Sequence, residues 1–197
     1  NSGTLTTTDE IIGVNGWGVF TQNGGIHTVV GTMVLGQEGK STSSRYVSIY
    51  DGTVTALVTT SSSAGSGTYI LNDGTMQAHK ISAGDGAGKL IIDGGTLSVV
   101  SGNISVDTLI LGNSSGSDGS YTQSAGTVKV GRETIGKQGQ GTYVQTGGTN
   151  EATTLSIGSQ GTYELSGSGV LKTNYLDIHG TFNQIGGTSQ INSGCVD

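Results

Sequence analysis

GSYTQSAGTVKVGRETIGKQGQ (Gly119–Gln140) runs directly into GTYVQTGGTNEATTLSIGSQ (Gly141–Gln160), two copies of one pattern. Each opens on Gly-x-Tyr-x-Gln, passes a Gly-rich turn into a Thr-led segment, and closes on a third short segment ending in Ile-Gly. Self-similarity at such a period marks a repeat architecture. Units of the same kind begin at Gly18 (GVF), Ser44 (SRY), Gly67 (GTY), Gly88 (GKL, with Leu90 in the aromatic slot), Gly119, Gly141, Gly161 and Gly180 (GTF). Their spacing runs from 19 to 31 residues, so eight units cover nearly all of residues 1–197 as one solenoid domain.

Within each unit the apolar residues alternate with period 2, the signature of half-buried strands. The first segment offers inward pairs Phe20 and Gln22, Tyr69 and Leu71, Leu90 and Ile92, Tyr121 and Gln123, Tyr143 and Gln145, Tyr163 and Leu165, and Phe182 and Gln184. The second offers Val54 and Ala56, Met76 and Ala78, Leu97 and Val99, Val128 and Val130. The third offers Met33 and Leu35, Leu109 and Leu111, Leu155 and Ile157, Leu176 and Ile178. Three short strands per turn predict an all-β, right-handed parallel β-helix of about eight coils; a propeller would need about 40 residues per blade.

A single buried Gln costs a few kcal/mol unless bonded, so the recurring Gln predicts stacked amides that satisfy one another in a ladder. The pairs Gly24-Gly25, Gly94-Gly95, Gly147-Gly148 and Gly186-Gly187 are expected at one corner of different coils, where tight turns need positive φ. Surplus length is assigned to loops at Thr59–Ser66, Ser101–Asp107 and Asn113–Asp118.

The 37 Gly, absent Pro and 11% charged residues give an ordered, turn-rich chain, since disordered segments are usually rich in charge or Pro. No apolar run reaches the roughly 18 residues of a membrane helix, and no basic cluster suits nucleic acid. There is no initiator Met and no signal pattern, which fits a mature product, a fragment or an excised piece.

GTLTTTDEIIG (Gly3–Gly13) matches GTVKVGRETIG (Gly126–Gly136) in its framework, so the chain is expected to begin part-way round a coil, at a second strand. GTSQINSGCVD (Gly187–Asp197) ends near the close of a third. Two explanations follow: a piece of a longer solenoid, or a subunit whose ends meet the next copy through Leu5, Ile12, Ile191 and Val196 in head-to-tail growth. Cys195 is either a small apolar residue of the last strand or an intersubunit crosslink.

GTYVQTGGTNEATTLSIG, with GSYTQSAGTVKVGRETIG and GTFNQIGGTSQI, resembles the Gly-x-Tyr-x-Gln-x-Gly-Gly repeats of bacterial secreted β-helix proteins, notably autotransporter passenger-like and related cell-surface repeats. The resemblance implies an extracellular or cell-surface location and adhesive or structural duty, and transfers no catalytic residue. SRYVSIYDGT (Ser44–Thr53) lacks the Gln slot and Leu90 lacks the aromatic.

For chemistry, Asp51 and Asp73 each precede Gly-Thr and should stack on adjacent coils, with Asp93 beside them and Arg45 and Lys89 in equivalent outward positions. Carboxylates beside a base are what a Ca²⁺-dependent polysaccharide lyase needs, although Asp next to Gly is also an ordinary turn residue. His27, His79 and His179 fall on different slots and form no ligand set, and AGDGAG (Ala83–Gly88) occurs once, where tandem Ca²⁺-binding repeats need several copies. Val47, Ile70 and Ile91 are expected as an outward apolar column.

The reading is therefore a non-enzymatic structural solenoid, a fibre subunit or adhesin segment, with no catalytic residue, cofactor or resident metal. Its rivals are a glycan-binding or receptor-binding module and a pectate-lyase-like enzyme.

Overall fold

The structure is a computed structural model that describes residues 3–12, 19–35, 44–59, 66–82 and 87–196. Among the described residues every regular element is a strand. In chain order they are β1 (Thr4–Thr7), β2 (Glu10–Ile12), β3 (Val19–Leu35), β4 (Ser44–Thr59), β5 (Ser66–Leu71), β6 (Thr75–Ser82), β7 (Ala87–Ile92) and β8 (Gly94–Leu111). There follow β9 (Asp118–Gln123), β10 (Thr127–Ile135), β11 (Gln140–Gln145), β12 (Thr149–Ile157), β13 (Gly161–Leu165), β14 (Val170–Ile178), β15 (Thr181–Gln184) and β16 (Thr188–Val196). Every pairing is parallel, and the strands stack as a β-solenoid.

Register sorts the chain onto three faces. Face A stacks Phe20, Val47, Tyr69, Leu90, Leu109, Glu133, Leu155 and Leu176. Face B stacks Leu5, His27, Val54, Met76, Leu97, Tyr121, Tyr143, Tyr163 and Phe182. Face C stacks Glu10, Met33, Val58, Ile81, Ile104, Val128, Asn150, Leu171 and Ser189.

These columns revise the equivalence expected from the motifs. In the unit at Gly67 the Tyr-bearing segment lies on face A, but from Gly119 onward it lies on face B. The change happens inside the unit at Gly88, which carries four segments rather than three: β7 on face A, then Gly94–Leu97 on B, Asn103–Val106 on C, and Thr108–Leu111 back on A. Leu90 consequently stacks on Leu109, while Leu97 stacks on Tyr121. The supposed loop Ser101–Asp107 belongs to β8, and its Ile104 and Val106 are buried. Turns of the coil thus do not correspond one to one with the eight motif starts.

The glycine pairs divide the same way. Gly94-Gly95 turns the chain from face A to B, whereas Gly147-Gly148 and Gly186-Gly187 turn it from B to C. Gly148 has φ 69°. A Cβ there would lie 2.5 Å from the Gly126 carbonyl oxygen, so stacking leaves no room for a side chain.

In the unit at Ser44, Ser44 pairs with Ser66, which sets Val47 rather than Tyr46 on Tyr69. Lys89 accordingly shares its column with Thr68 and Tyr46, not with Arg45, which pairs with Gly67. Ile70, Ile91 and Ile110 share one outward register column on face A, which position 47 does not join, and both Ile91 and Ile110 are buried, so it is not an open apolar strip.

Candidate functional site

Two polar arrangements stand out, one inside the solenoid and one on its surface. The interior one is built by faces A, B and C of the later coils. Tyr121, Tyr143 and Tyr163 lie over one another with Gln123 and Gln145 two residues on, and all five are buried. The rings of Tyr143 and Tyr163 are stacked at 4.8 Å, and Tyr121 meets Tyr143 edge-on at 5.1 Å.

The Gln side chains are in register, Gln123 on Gln145, yet they do not satisfy each other. Tyr143 donates its hydroxyl to Gln123 Oε1 at 2.8 Å, and Tyr163 donates to Gln145 Oε1 at 2.7 Å. Gln123 Nε2 donates to the carbonyl oxygens of Thr149 and Gly126, and Gln145 Nε2 to those of Val170 and Gly148. The expected amide ladder is replaced by a Tyr–Gln–backbone weave in which each Gln ties its own corner to the next coil. A carbonyl at the turn is nearer the amide nitrogen than the stacked amide, and the phenol supplies the donor that the Gln oxygen lacks.

Tyr69, on face A, has no such partner. Its hydroxyl is buried without a hydrogen bond among the described residues, and burial pushes the phenol well above its ordinary value. The position corresponding to Gln in the preceding coil is Ile49.

Glu133 is the residue that motif reading passed over. It occupies the face A column between Leu109 and Leu155 and has no exposed surface. Asn150 Nδ2 donates to Glu133 Oε2 at 2.8 Å and to the Tyr163 hydroxyl at 3.1 Å. Burial pushes the Glu133 carboxyl up to about 7, against the lowering effect of the Asn150 bond. The one sequence signal was a Glu in a slot that copies before and after fill with Leu.

Near the other end of the stack, Glu10 and His27 make a second interior polar contact. His27 is buried, its Nε2 lies 2.6 Å from Glu10 Oε2, and its ring is 4.8 Å from that of Phe20.

The surface arrangement is an open groove of about 780 Å³ at the face A–B corner, lined by Asp73, Asp93, Asp118, Ser117, Ser120 and Thr142 among others. Asp73 and Asp93 do converge there, but each is already engaged. Asp73 Oδ1 accepts its own following amide, Gly74 N–H, at 2.7 Å. Asp93 accepts the Ser114 amide at 2.7 Å and the Ser114 hydroxyl, which ties down the turn at 113–118. Burial pushes the Asp93 carboxyl up, but hydrogen bonds from Ser114, Ser117 and Asn113 outweigh it and hold it below the usual value. Lys89 is not part of this lining. The side chains of Asp51, Arg45, Gln22, Ile12, Val196 and His79 lie outside the described residues, as do residues 60–65 of the first expected loop and 83–86 of the Gly/Asp stretch.

Of the remaining sequence candidates, Leu71 and Leu165 are buried, and Phe20 and Phe182 are half-buried. Gln184 is exposed although it is in register with Leu165, because no described coil lies beyond it. Leu5 and Ile191 are exposed although in register with buried His27 and Thr173. Cys195 pairs with Asp177 between the inward partners of Leu176 and Ile178, so it points outward and is exposed rather than filling the last strand's core. His179 Nε2 lies 3.2 Å from Asp177 Oδ1, and His27 is far along the stack on face B. Among the described residues no helix is long and apolar enough to cross a membrane.

No protein-family model, no curated protein and no solved structure matches this chain.

Proposed function

We propose that this chain works mechanically, as a secreted β-solenoid rod that forms an extracellular fibre by head-to-tail stacking or the stem of a surface adhesin. The observation that supports the reading is the stacking itself, in which like side chains lie over one another from coil to coil along one rod. Among the described residues β1 and β16 each pair with a strand on one side only, and Leu5 and Ile191, members of interior columns, are 44% and 40% exposed. A further coil on either surface would bury them and pair the open edge. In the fibre that coil comes from a second copy, and in an adhesin stem from further repeats of the same solenoid. The Gly-x-Tyr-x-Gln repeats, similar to those of bacterial secreted β-helix proteins, support the extracellular setting.

Electron microscopy of the purified protein tests it. Unbranched filaments are expected, with a fibre-diffraction spacing of about 4.8 Å along the axis. Ile191→Glu should stop filament growth while moving the unfolding midpoint of the single rod little, since surface changes are usually within about 0.5 kcal/mol. Dispersed rods at every concentration would remove the fibre.

A second reading, glycan binding, is favoured by the groove lined by Asp73, Asp118, Ser120 and Thr142, whose carboxylates and hydroxyls suit sugar hydroxyls. Binding on a glycan array, lost in Asp118→Ala, tests it. The lyase reading has less support, because the Asp93 oxygens are already bonded and Lys89 stands apart.

A further inference from the structure

Glu133 stands where the face A column otherwise carries Leu109, Leu155 and Leu176. A buried carboxyl in a leucine column is unfavourable unless its oxygens are satisfied. Only one is: Oε2 accepts from Asn150 Nδ2 at 2.8 Å, while Glu133 Oε1 and Asn150 Oδ1 are both buried and without a partner among the described residues. Two orphaned acceptors on one bonded pair lack a single hydrogen between them. A carboxylate cannot supply it; a carboxylic acid can.

The surroundings favour the neutral acid. Asn150 on β12 bonds Glu133, and the phenols that feel its charge are Tyr121 on β9, Tyr143 on β11 and Tyr163 on β13. Leu109 on β8 and Leu155 on β12 stack above and below. Arg132, next along β10, is exposed, and among the described residues no basic side chain shifts the Glu133 carboxyl. A carboxylate here would face no compensating cation.

We propose that Glu133 and Asn150 form a proton-operated lock inside the solenoid, a cyclic acid–amide pair in which Glu133 Oε1–H donates to Asn150 Oδ1 and Asn150 Nδ2–H donates to Glu133 Oε2. The pair joins β10 to β12 across the lumen, and the Asn150–Tyr163–Gln145 bonds extend it toward the next coil. When base in the surrounding solution removes the proton, the lumen holds an unpaired charge and the coils carrying β10 and β12 loosen. The lock is closed in acid and opens as the medium turns alkaline.

The sign follows from linkage. The folded carboxyl is raised from 4.5 to about 7, so the stabilisation is complete below 4.5 and is lost as pH rises through about 7.

Thermal unfolding of wild type, E133Q and E133L between about pH 4 and pH 9 tests the lock. Wild type should lose Tm as pH rises across the window and then level off. E133Q should remove that slope, because its amide N–H replaces the acid proton toward Asn150 Oδ1 at every pH; E133L, matching the column, should remove it too. An unchanged slope in either variant overturns the proposal. NMR titration of isotope-labelled glutamate carboxyls in the wild type reads the group directly, without any variant. One carboxyl titrating near neutrality and missing from E133Q supports the lock; all carboxyls titrating at ordinary glutamate values overturn it.

Discussion

Tyr163 donates its hydroxyl to Gln145 Oε1 at 2.7 Å, from one coil to the coil before it, and Tyr143 repeats the bond to Gln123 at 2.8 Å. The Gly-x-Tyr-x-Gln motif is thus a connector between neighbours in the stack rather than a unit closed on itself. Its Tyr reaches back one coil, and its Gln reaches forward to the next through backbone carbonyls.

The connector makes two chemically equal substitutions behave differently. Tyr163→Phe strands the Gln145 oxygen and should cost about 1 to 3 kcal/mol, whereas Tyr69→Phe removes a hydroxyl that has no partner among the described residues and should be neutral or stabilising. Urea unfolding of the two variants checks this; equal losses would mean that the Tyr163 bond contributes nothing. Pairing Tyr163→Phe with Gln145→Leu should recover much of the loss, since Leu165 already occupies that column one coil on.

Tyr143 lies between Tyr121 and Tyr163 with no exposed surface. Truncation to Ala removes a ring stacked on Tyr163 and met edge-on by Tyr121, and should cost about 3 to 5 kcal/mol. Stability within 1 kcal/mol or so of wild type would place the side chain outside the core.

Gly119 and Gly116 separate the two reasons a glycine is kept. A Cβ on Gly119 would run into the Ile92 carbonyl oxygen, while Gly116 has φ 79° and open space around it. Gly116→Ala should therefore cost about 1 to 2 kcal/mol from backbone strain alone. Gly119→Ala should cost more, because the β9 backbone must move away from Ile92. The ranking reverses if strain rather than packing governs these corners.

Stability should carry two opposed pH limbs. Asp93 is held below 3.8 by the bonds from Ser114, so its contribution is present above that value and is lost as pH falls through the depressed one. Glu133 is raised from 4.5 to about 7, so its contribution is lost upward across that window. Each tenfold change in proton affinity is worth about 1.4 kcal/mol, which puts the Glu133 limb on the order of 3 kcal/mol. Denaturant midpoints across the range should peak on the acid side of neutrality; a steady rise toward alkaline pH would contradict the Glu133 assignment.

Much of the local structure was legible without coordinates. Alternation of period 2 in GTYVQ and GTYEL identifies the strand and its inward residues, because neighbouring side chains on an extended backbone must point to opposite faces. Tandem copies about 20 residues apart imply stacking, because a lone half-buried strand cannot cover its apolar side. Glu133 was passed over although alternation, with Arg132 and Thr134 outward, puts it inward, because a carboxyl carries no apolar signal; its burial comes from Leu109 and Leu155.

Alternation determined which side of each strand faces inward, but it carries no mark of which of three faces the strand lies on. That was decided by three-dimensional stacking, where the fourth segment at Thr108–Leu111 continues the Leu90 column and moves Tyr121, Tyr143 and Tyr163 to the Leu97 column. The Gln partners were decided there too, since a side-chain amide takes the nearest donor and acceptor that neighbouring coils offer. In a chain of like repeats those neighbours are set by packing around the lumen, not by adjacency along the backbone.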